Sequence, residues 1–164
     1  MKVSEVMTPH PACCIPSDTA QTAAIIMRDE DTGIVPVVER KGTLKLAGVV
    51  TDRDLCIGVI AERPLTLEPG LDSANAPIEQ FMTTEVISCG ANDELDDVLD
   101  LMKDNQVRRV LVVDDKNEIK GIVSLADLMM RGAVPAGETR DTLKEISKPT
   151  GEASKPRAHS ATVE

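Results

Sequence analysis

The same succession of residues occurs twice in this chain. Glu5-Val6-Met7-Thr8-Pro9 returns as Gln80-Phe81-Met82-Thr83-Thr84, and Gly48-Val49-Val50-Thr51-Asp52-Arg53-Asp54-Leu55 returns as Gly121-Ile122-Val123-Ser124-Leu125-Ala126-Asp127-Leu128. A duplication restricts the fold more than any local propensity, because both copies form the same supersecondary unit and stack to share a core. The offset is 75 between Met7 and Met82 and 73 between Gly48 and Gly121. The first copy therefore holds two extra residues between these landmarks, which a hairpin loop absorbs.

A chain of 164 residues suits one compact domain or two half-size units with a common core. The repeat supplies two such units. Tryptophan and tyrosine are absent and Phe81 is the only aromatic residue, so Val, Ile, Leu, Met and Ala must form the core and stacking on nucleic-acid bases is nearly excluded. The formal charge is -10, and the segment 133–164 carries five acidic and five basic residues, which leaves the whole excess in residues 1–132. Such a surface repels a phosphate backbone. A nucleic-acid polymer is excluded as a partner, and any anionic ligand must be small and held in a locally positive pocket. No apolar run approaches the roughly 20 residues of a membrane span, and the N-terminus lacks the plan of a signal peptide. The expectation is a cytoplasmic protein without a membrane partner. Cys13, Cys14, Cys56 and Cys89 form neither a CxxC pair nor a disulfide framework and read as reduced thiols.

Repeat 1 spans 1–62 and repeat 2 spans 77–132. Between them, 63–76 contains Pro64, Pro69 and Gly70 and reads as a linker. Residues 133–164, rich in Pro, Gly, Ser, Thr, Lys and Glu, read as a disordered tail with at most a short helix over Asp141 to Ser147. Within each repeat the apolar spacing predicts a helix, with Ala20, Ala23, Ala24 and Met27 on one stripe and Leu95, Val98, Leu99 and Met102 on its counterpart. Two apolar runs around a polar turn follow: Ile34 to Val38 with Ala47 to Val50, and Val110 to Val113 with Ile119 to Val123. With a short strand ahead of each helix, at Ala12 to Ile15 and Val86 to Cys89, each repeat becomes strand, helix, strand, strand, helix. The fold class is α/β, with the two repeats packed about a pseudo-twofold axis.

These landmarks resemble the CBS domain, the unit named after cystathionine beta-synthase, in the tandem arrangement called a Bateman module. The resemblance covers nearly all of 1–132. Its carriers are Val6-Met7-Thr8-Pro9 and Phe81-Met82-Thr83, Val35-Pro36-Val37-Val38 and Val110-Leu111-Val112-Val113, and the two segments Gly-x-Val-Ser/Thr-x-x-Asp. Thr84 and Leu111 stand where proline is common in the family, and Asp29 to Gly33 forms a polar helix end.

Thr51 with Asp54, and Ser124 with Asp127, are spaced as capping boxes, in which hydroxyl and carboxylate satisfy free amides at a helix start. The same residues admit a binding role, since a helix start attracts phosphate and a carboxylate accepts two hydrogen bonds from a ribose diol. The resemblance implies that Asp54 and Asp127 bind ribose, that Thr51 and Ser124 lie beside phosphates, and that adenine rests against backbone and apolar side chains near Cys13 to Ile15 or Ile87 to Cys89, with Cys14, Ile87 and Ser88 as candidate contacts. Arg53, Arg108 and Arg109 are the cations placed to reach phosphate oxygens. Arg108 and Arg109 align with Gly33 and Ile34, and Arg53 aligns with Ala126, so the two clefts must differ; the sequence favours the one holding Asp127, Ser124 and Arg109. His10, Cys13, Cys14 and Cys89 admit a metal or redox switch, but cysteine in a strand also packs as a small hydrophobe. No catalytic constellation is recognisable around His10 or His159.

The resemblance implies a stand-alone regulatory module. Its ligand would be AMP, ADP, ATP or S-adenosylmethionine, its assembly a homodimer through exposed helices, and its effector a separate target protein. A ligand-free interaction scaffold, with thiol response as a further feature of that reading, is the alternative, and an enzyme is the least supported.

Overall fold

The computed structural model describes residues 1–62, 73–131 and 136–148. Both repeats contain a helix followed by a two-stranded hairpin and a second helix. In repeat 1 these are α1 (Ala20–Asp29), β2 (Ile34–Val38), β3 (Leu46–Thr51) and α2 (Asp52–Leu55), which continues as a π-helical segment over Cys56–Glu62. In repeat 2 they are α3 (Leu95–Asn105), β5 (Arg109–Val113), β6 (Ile119–Ser124) and α4 (Leu125–Met130). The loops inside the two hairpins run over 39–45 and 114–118, so the two extra residues of the first copy lie there.

The turn ahead of each helix is closed by the same device. Asp18 Oδ2 accepts the Ile15 amide at 2.9 Å, and Asp93 Oδ2, 75 residues on, accepts the Gly90 amide at 2.7 Å. α1 is then capped by Thr19, whose Oγ1 accepts the Thr22 amide. Each helix is followed by a residue with positive φ, Asp31 after α1 and Gln106 after α3, which stops the helical path where the chain must turn into a strand.

Strand β1 (Thr8–Pro9) and strand β4 (Ser88–Gly90) complete one sheet of order β1-β6-β5-β4. The other sheet, β2 with β3, is extended by two single bridges, Cys14 beside Val37 and Thr83 beside Val49, and so repeats the same order. The opening motif of each copy has therefore crossed to the other copy. Thr8 pairs with Ile122 in repeat 2, while Thr83 exchanges two backbone hydrogen bonds with Val49 in repeat 1, at 2.9 and 2.8 Å. Val3 and Val6 are buried with Val98, Leu99 and Met102; Ile78 is buried with Ala20, Ala23, Val35 and Val50. The two sequence copies are thus not the two spatial units.

This crossing explains the glycines that begin the second motif. A Cβ on Gly48 would stand 2.7 Å from the Thr83 carbonyl oxygen, and one on Gly121 would stand 2.9 Å from that of Thr8. Only glycine lets the crossing segment lie so close to the strand. A third apolar cluster, formed by Ile34, Val38 and Leu46 with Leu111, Ile119 and Ile122, joins the halves, and Leu46 and Ile119 make backbone bonds across the seam to Asn117 and Leu44.

Three expectations need correction. Ala24, predicted on the buried stripe of α1, is exposed, whereas Ala20, Ala23 and Met27 are buried and Ile26 packs at the edge of their cluster. Four small or flexible side chains make too narrow a face to be covered completely, and the larger stripe of α3, Leu95, Val98, Leu99 and Met102, is buried in full. Residues 63–72 of the predicted linker lie outside the described residues, but its end is packed: Ala76 is buried and its carbonyl accepts the Ala20 amide at 2.9 Å. The tail contains a full helix, α5 (Ala136–Ile146), longer than the stretch from Asp141 predicted by composition. Its Thr142 and Ile146 are buried and Leu143 packs against the cluster of α3, so tertiary burial supplies what the local polar composition does not.

Candidate functional site

Both capping boxes form. Thr51 Oγ1 accepts the Asp54 amide at 3.2 Å, and Asp54 Oδ2 accepts the Thr51 amide and hydroxyl at 2.9 and 2.7 Å. Ser124 Oγ accepts the Asp127 amide at 3.0 Å, and Asp127 Oδ2 accepts the Ser124 amide and hydroxyl at 3.3 and 2.5 Å. Each bond to the carboxylates ends on Oδ2. Capping therefore leaves Oδ1 of Asp54 and Asp127 as an acceptor, and the two roles are compatible.

Each aspartate lines a cleft whose opposite wall comes from the entry segment of the other repeat. The cleft of Asp54 and Thr51 has a volume of about 440 Å³ and includes Thr83, Val86 and Ile87. The cleft of Asp127 and Ser124 has about 340 Å³ and includes Thr8, Pro11 and Ala12. Both volumes fall in the range of roughly 300–1,000 Å³ common for small-molecule sites. The crossing of the motif segments creates both clefts.

Their electrostatics differ at equivalent positions. Gln106, Val107 and Arg108 line the Asp54 cleft; 75 residues earlier, Asp31 and Thr32 line the Asp127 cleft and Gly33 supplies no side chain there. Arg53 lines the Asp54 cleft, and its counterpart Ala126 lines the other. Arg109 borders both. Among the described residues, the Asp54 cleft thus sets Arg53, Arg108 and Arg109 against Asp52, Asp54 and Glu85, whereas the Asp127 cleft sets Arg109 alone against Glu30, Asp31 and Asp127. The sequence favoured the Asp127 cleft for its Arg109, but Arg109 borders both clefts, whereas Arg108 and Arg53 border the Asp54 cleft.

Two residues assigned to adenine contact lie elsewhere. Cys14 is fully buried in the repeat 1 core, and its bridge to Val37 holds it there. Ser88 lines a separate cavity of about 140 Å³ with Leu46, Thr84 and Asn117. It neighbours Ile87, which borders the cleft, and alternate residues of an extended chain face opposite ways. Sequence reasoning missed Gln106 and Ile146 as cleft residues. The apolar Leu143 and Ile146 at an i, i+3 spacing were the only signal for the latter.

Among the described residues, no group of three or more His, Cys, Asp or Glu side chains is placed to hold a metal. Burial, with smaller contributions from Asp18 and Asp93 respectively, pushes the thiols of Cys14 and Cys89 up to about 12, and burial also raises Cys13, whose Sγ donates to the Pro11 carbonyl. Thiolate is the reactive form, so these environments oppose a redox switch. With a thiol reagent at pH 8, buried Cys14 and Cys89 are expected to react only on unfolding. Rapid modification of all four cysteines in the folded protein would contradict this assignment.

An α/β repeat protein with exchanged entry segments and two interfacial clefts is what fold and site together define. The chain belongs to the CBS domain family, which it matches over residues 3–60 and 78–133. It is 38% identical over 126 residues to the CBS domain-containing protein YhcV of Bacillus subtilis (strain 168), covering 77% of this chain and 81% of that protein. It is 30% identical over 124 residues to Hypoxic response protein 1 of Mycobacterium tuberculosis, covering 76% and 80% of the two chains. A crystal structure of Hypoxic Response Protein I with two coordinated zinc ions superposes with a TM-score of 0.65 at 28% identity, over 82% of this chain and all of that one. The CBS domain pair of protein MJ0100, in complex with 5'-methylthioadenosine and S-adenosyl-L-methionine, shares the fold at a TM-score of 0.68 and 23% identity, over 81% and 96%.

Proposed function

We propose that this protein is a regulatory module that senses a phosphorylated adenosine compound, AMP, ADP or ATP, in the Asp54 cleft and changes how it engages a target protein. The observation that carries this reading is the gathering of Arg53, Arg108 and Arg109 around a cleft that also holds Asp54. Asp54 Oδ1 accepts from the ribose diol, the arginines meet the phosphates, and Val86 and Ile87 offer apolar surface to the base. The cleft is built from both repeats, so occupancy favours the arrangement in which they close on the ligand. Family membership and the MJ0100 complex support an adenosyl ligand in this fold.

The acid-rich Asp127 cleft suits a compound without phosphates, and the cationic sulfonium of S-adenosylmethionine fits it better than a nucleotide does. Thermal unfolding with AMP, ADP, ATP and S-adenosylmethionine tests both assignments. Stabilisation by a nucleotide that depends on Asp54 supports the reading; no stabilisation by any of the four overturns it in favour of an interaction scaffold.

Exposed Ala24 has a consequence for assembly. It lines an apolar groove of about 260 Å³ with Leu55, Cys56, Val59 and Ile60, between α1 and the helix that starts at Asp52. Ile60 is 75% exposed. We assign this groove, apolar and open, to the homodimer contact; a charge introduced there would be desolvated on association. Ile60→Asp is expected to convert a dimer into a monomer by light scattering. An unchanged mass would remove this face from the interface. Among the described residues, no helix is long and apolar enough to cross a membrane, and we place the module in the cytoplasm.

A further inference from the structure

The C-terminal helix α5 reaches the same cleft. Ile146, 7% exposed, belongs both to the cluster around Val98, Leu99 and Met102 and to the lining of the Asp54 cleft. Just beyond the helix end, Ser147 Oγ accepts from Arg108 Nη2 at 3.5 Å, and Gln106 Nε2 donates to the Glu145 carbonyl at 3.5 Å. Arg108 and Gln106 themselves line that cleft. Gln106 and Arg108, the side chains that bond the end of α5, are thus cleft residues.

We infer that α5 and the phosphates of the ligand compete for Arg108, so that a phosphorylated nucleoside in the Asp54 cleft releases the C-terminal helix. This rests on the nucleotide reading above. The direction follows from bond strength: the contact to the neutral Ser147 hydroxyl is long, whereas a phosphate oxygen accepts from a guanidinium at about 2.7–2.9 Å with charge assistance. A helix C-terminus also carries partial negative charge, which disfavours a polyanion beside it. Lys148 does not offset that charge, because its ammonium is paired with Glu145. Release would uncover the apolar face of Leu143 and Ile146, which becomes the output presented to the target protein.

Binding and release are linked reciprocally: whatever factor ATP adds to α5 opening, undocking α5 adds to ATP affinity. Hydrogen exchange of the full chain reads both sides. Saturating ATP is expected to speed amide exchange over 138–148 several-fold while protecting 51–54, and adenosine, lacking phosphate, to leave 138–148 unchanged. Ile146→Asp, which undocks the helix, is expected to bind ATP several-fold more tightly by calorimetry, and the milder Ser147→Ala, which spares the core, to shift affinity in the same direction. Protection of 51–54 by ATP with unchanged or slower exchange in α5 overturns the inference and leaves the nucleotide reading standing. Absence of protection at 51–54 with every nucleotide, in the wild type and in both variants, overturns both.

Discussion

At 100 times its dissociation constant, the preferred nucleotide is expected to stabilise the wild-type protein by about 2.7 kcal/mol, and Asp54→Ala to remove about half or more of that gain while Asp127→Ala retains it. For a chain of this size each kcal/mol moves the melting temperature by about 2–4 °C, so the shift is readily measured. The comparison must be made between ligand-dependent shifts rather than bare melting temperatures. Each aspartate closes a complete capping box from its third helical position, so its loss to alanine carries a stability cost of its own. Because the boxes are equivalent, that cost is similar in the two variants and cancels. What remains is the ribose contact: a hydrogen bond to a charged group contributes about 1.5–3 kcal/mol, which is roughly a 10- to 100-fold loss of affinity. Equal loss in both variants would mean that two nucleotide sites operate, and loss only with Asp127→Ala would return the site to the cleft that sequence alone favours.

The sequence made the repeat architecture legible because duplication leaves two independent copies of each weak signal. The stripes of α1 and α3, the hairpins and the capping boxes can each be checked against a partner at an offset of 75 or 73. What the sequence could not show is which copy's surface each motif meets. Val6-Met7-Thr8 reads as the start of repeat 1, yet Val6 is buried in the core of repeat 2. Burial follows chain crossing, which neither periodicity nor spacing encodes. Cys14 marks a different limit: it is buried in the core of its own repeat, and spacing alone does not tell a strand cysteine that packs inward from one that borders a cleft. The full length of α5, of which composition gave only the stretch from Asp141, escaped because its sequence is polar on average and docking on α3 supplies much of its reason to fold.

The crossing also predicts how the protein unfolds. Ile78 is fully buried, and although it belongs to repeat 2 by sequence it packs among Ala20, Ala23, Val35 and Val50 of repeat 1. Ile78→Ala is expected to cost about 2–5 kcal/mol, the usual cost of removing a large aliphatic side chain from a core. Were the sequence repeats autonomous, this loss would destabilise residues 77–132 and leave 1–62 intact. With the segments exchanged, Ile78→Ala weakens the core of repeat 1 and loosens the attachment of Thr83 to β3 at the same time. Chemical denaturation should therefore show one transition displaced to lower denaturant with its slope preserved, the sign of a change in stability rather than in cooperativity. Hydrogen exchange should show faster opening of β2 and β3 as well as of the crossing segment. A second transition appearing in the variant, with β2 and β3 protected as in the wild type, would show that the exchange of Val3, Val6 and Ile78 does not bind the halves into one cooperative unit.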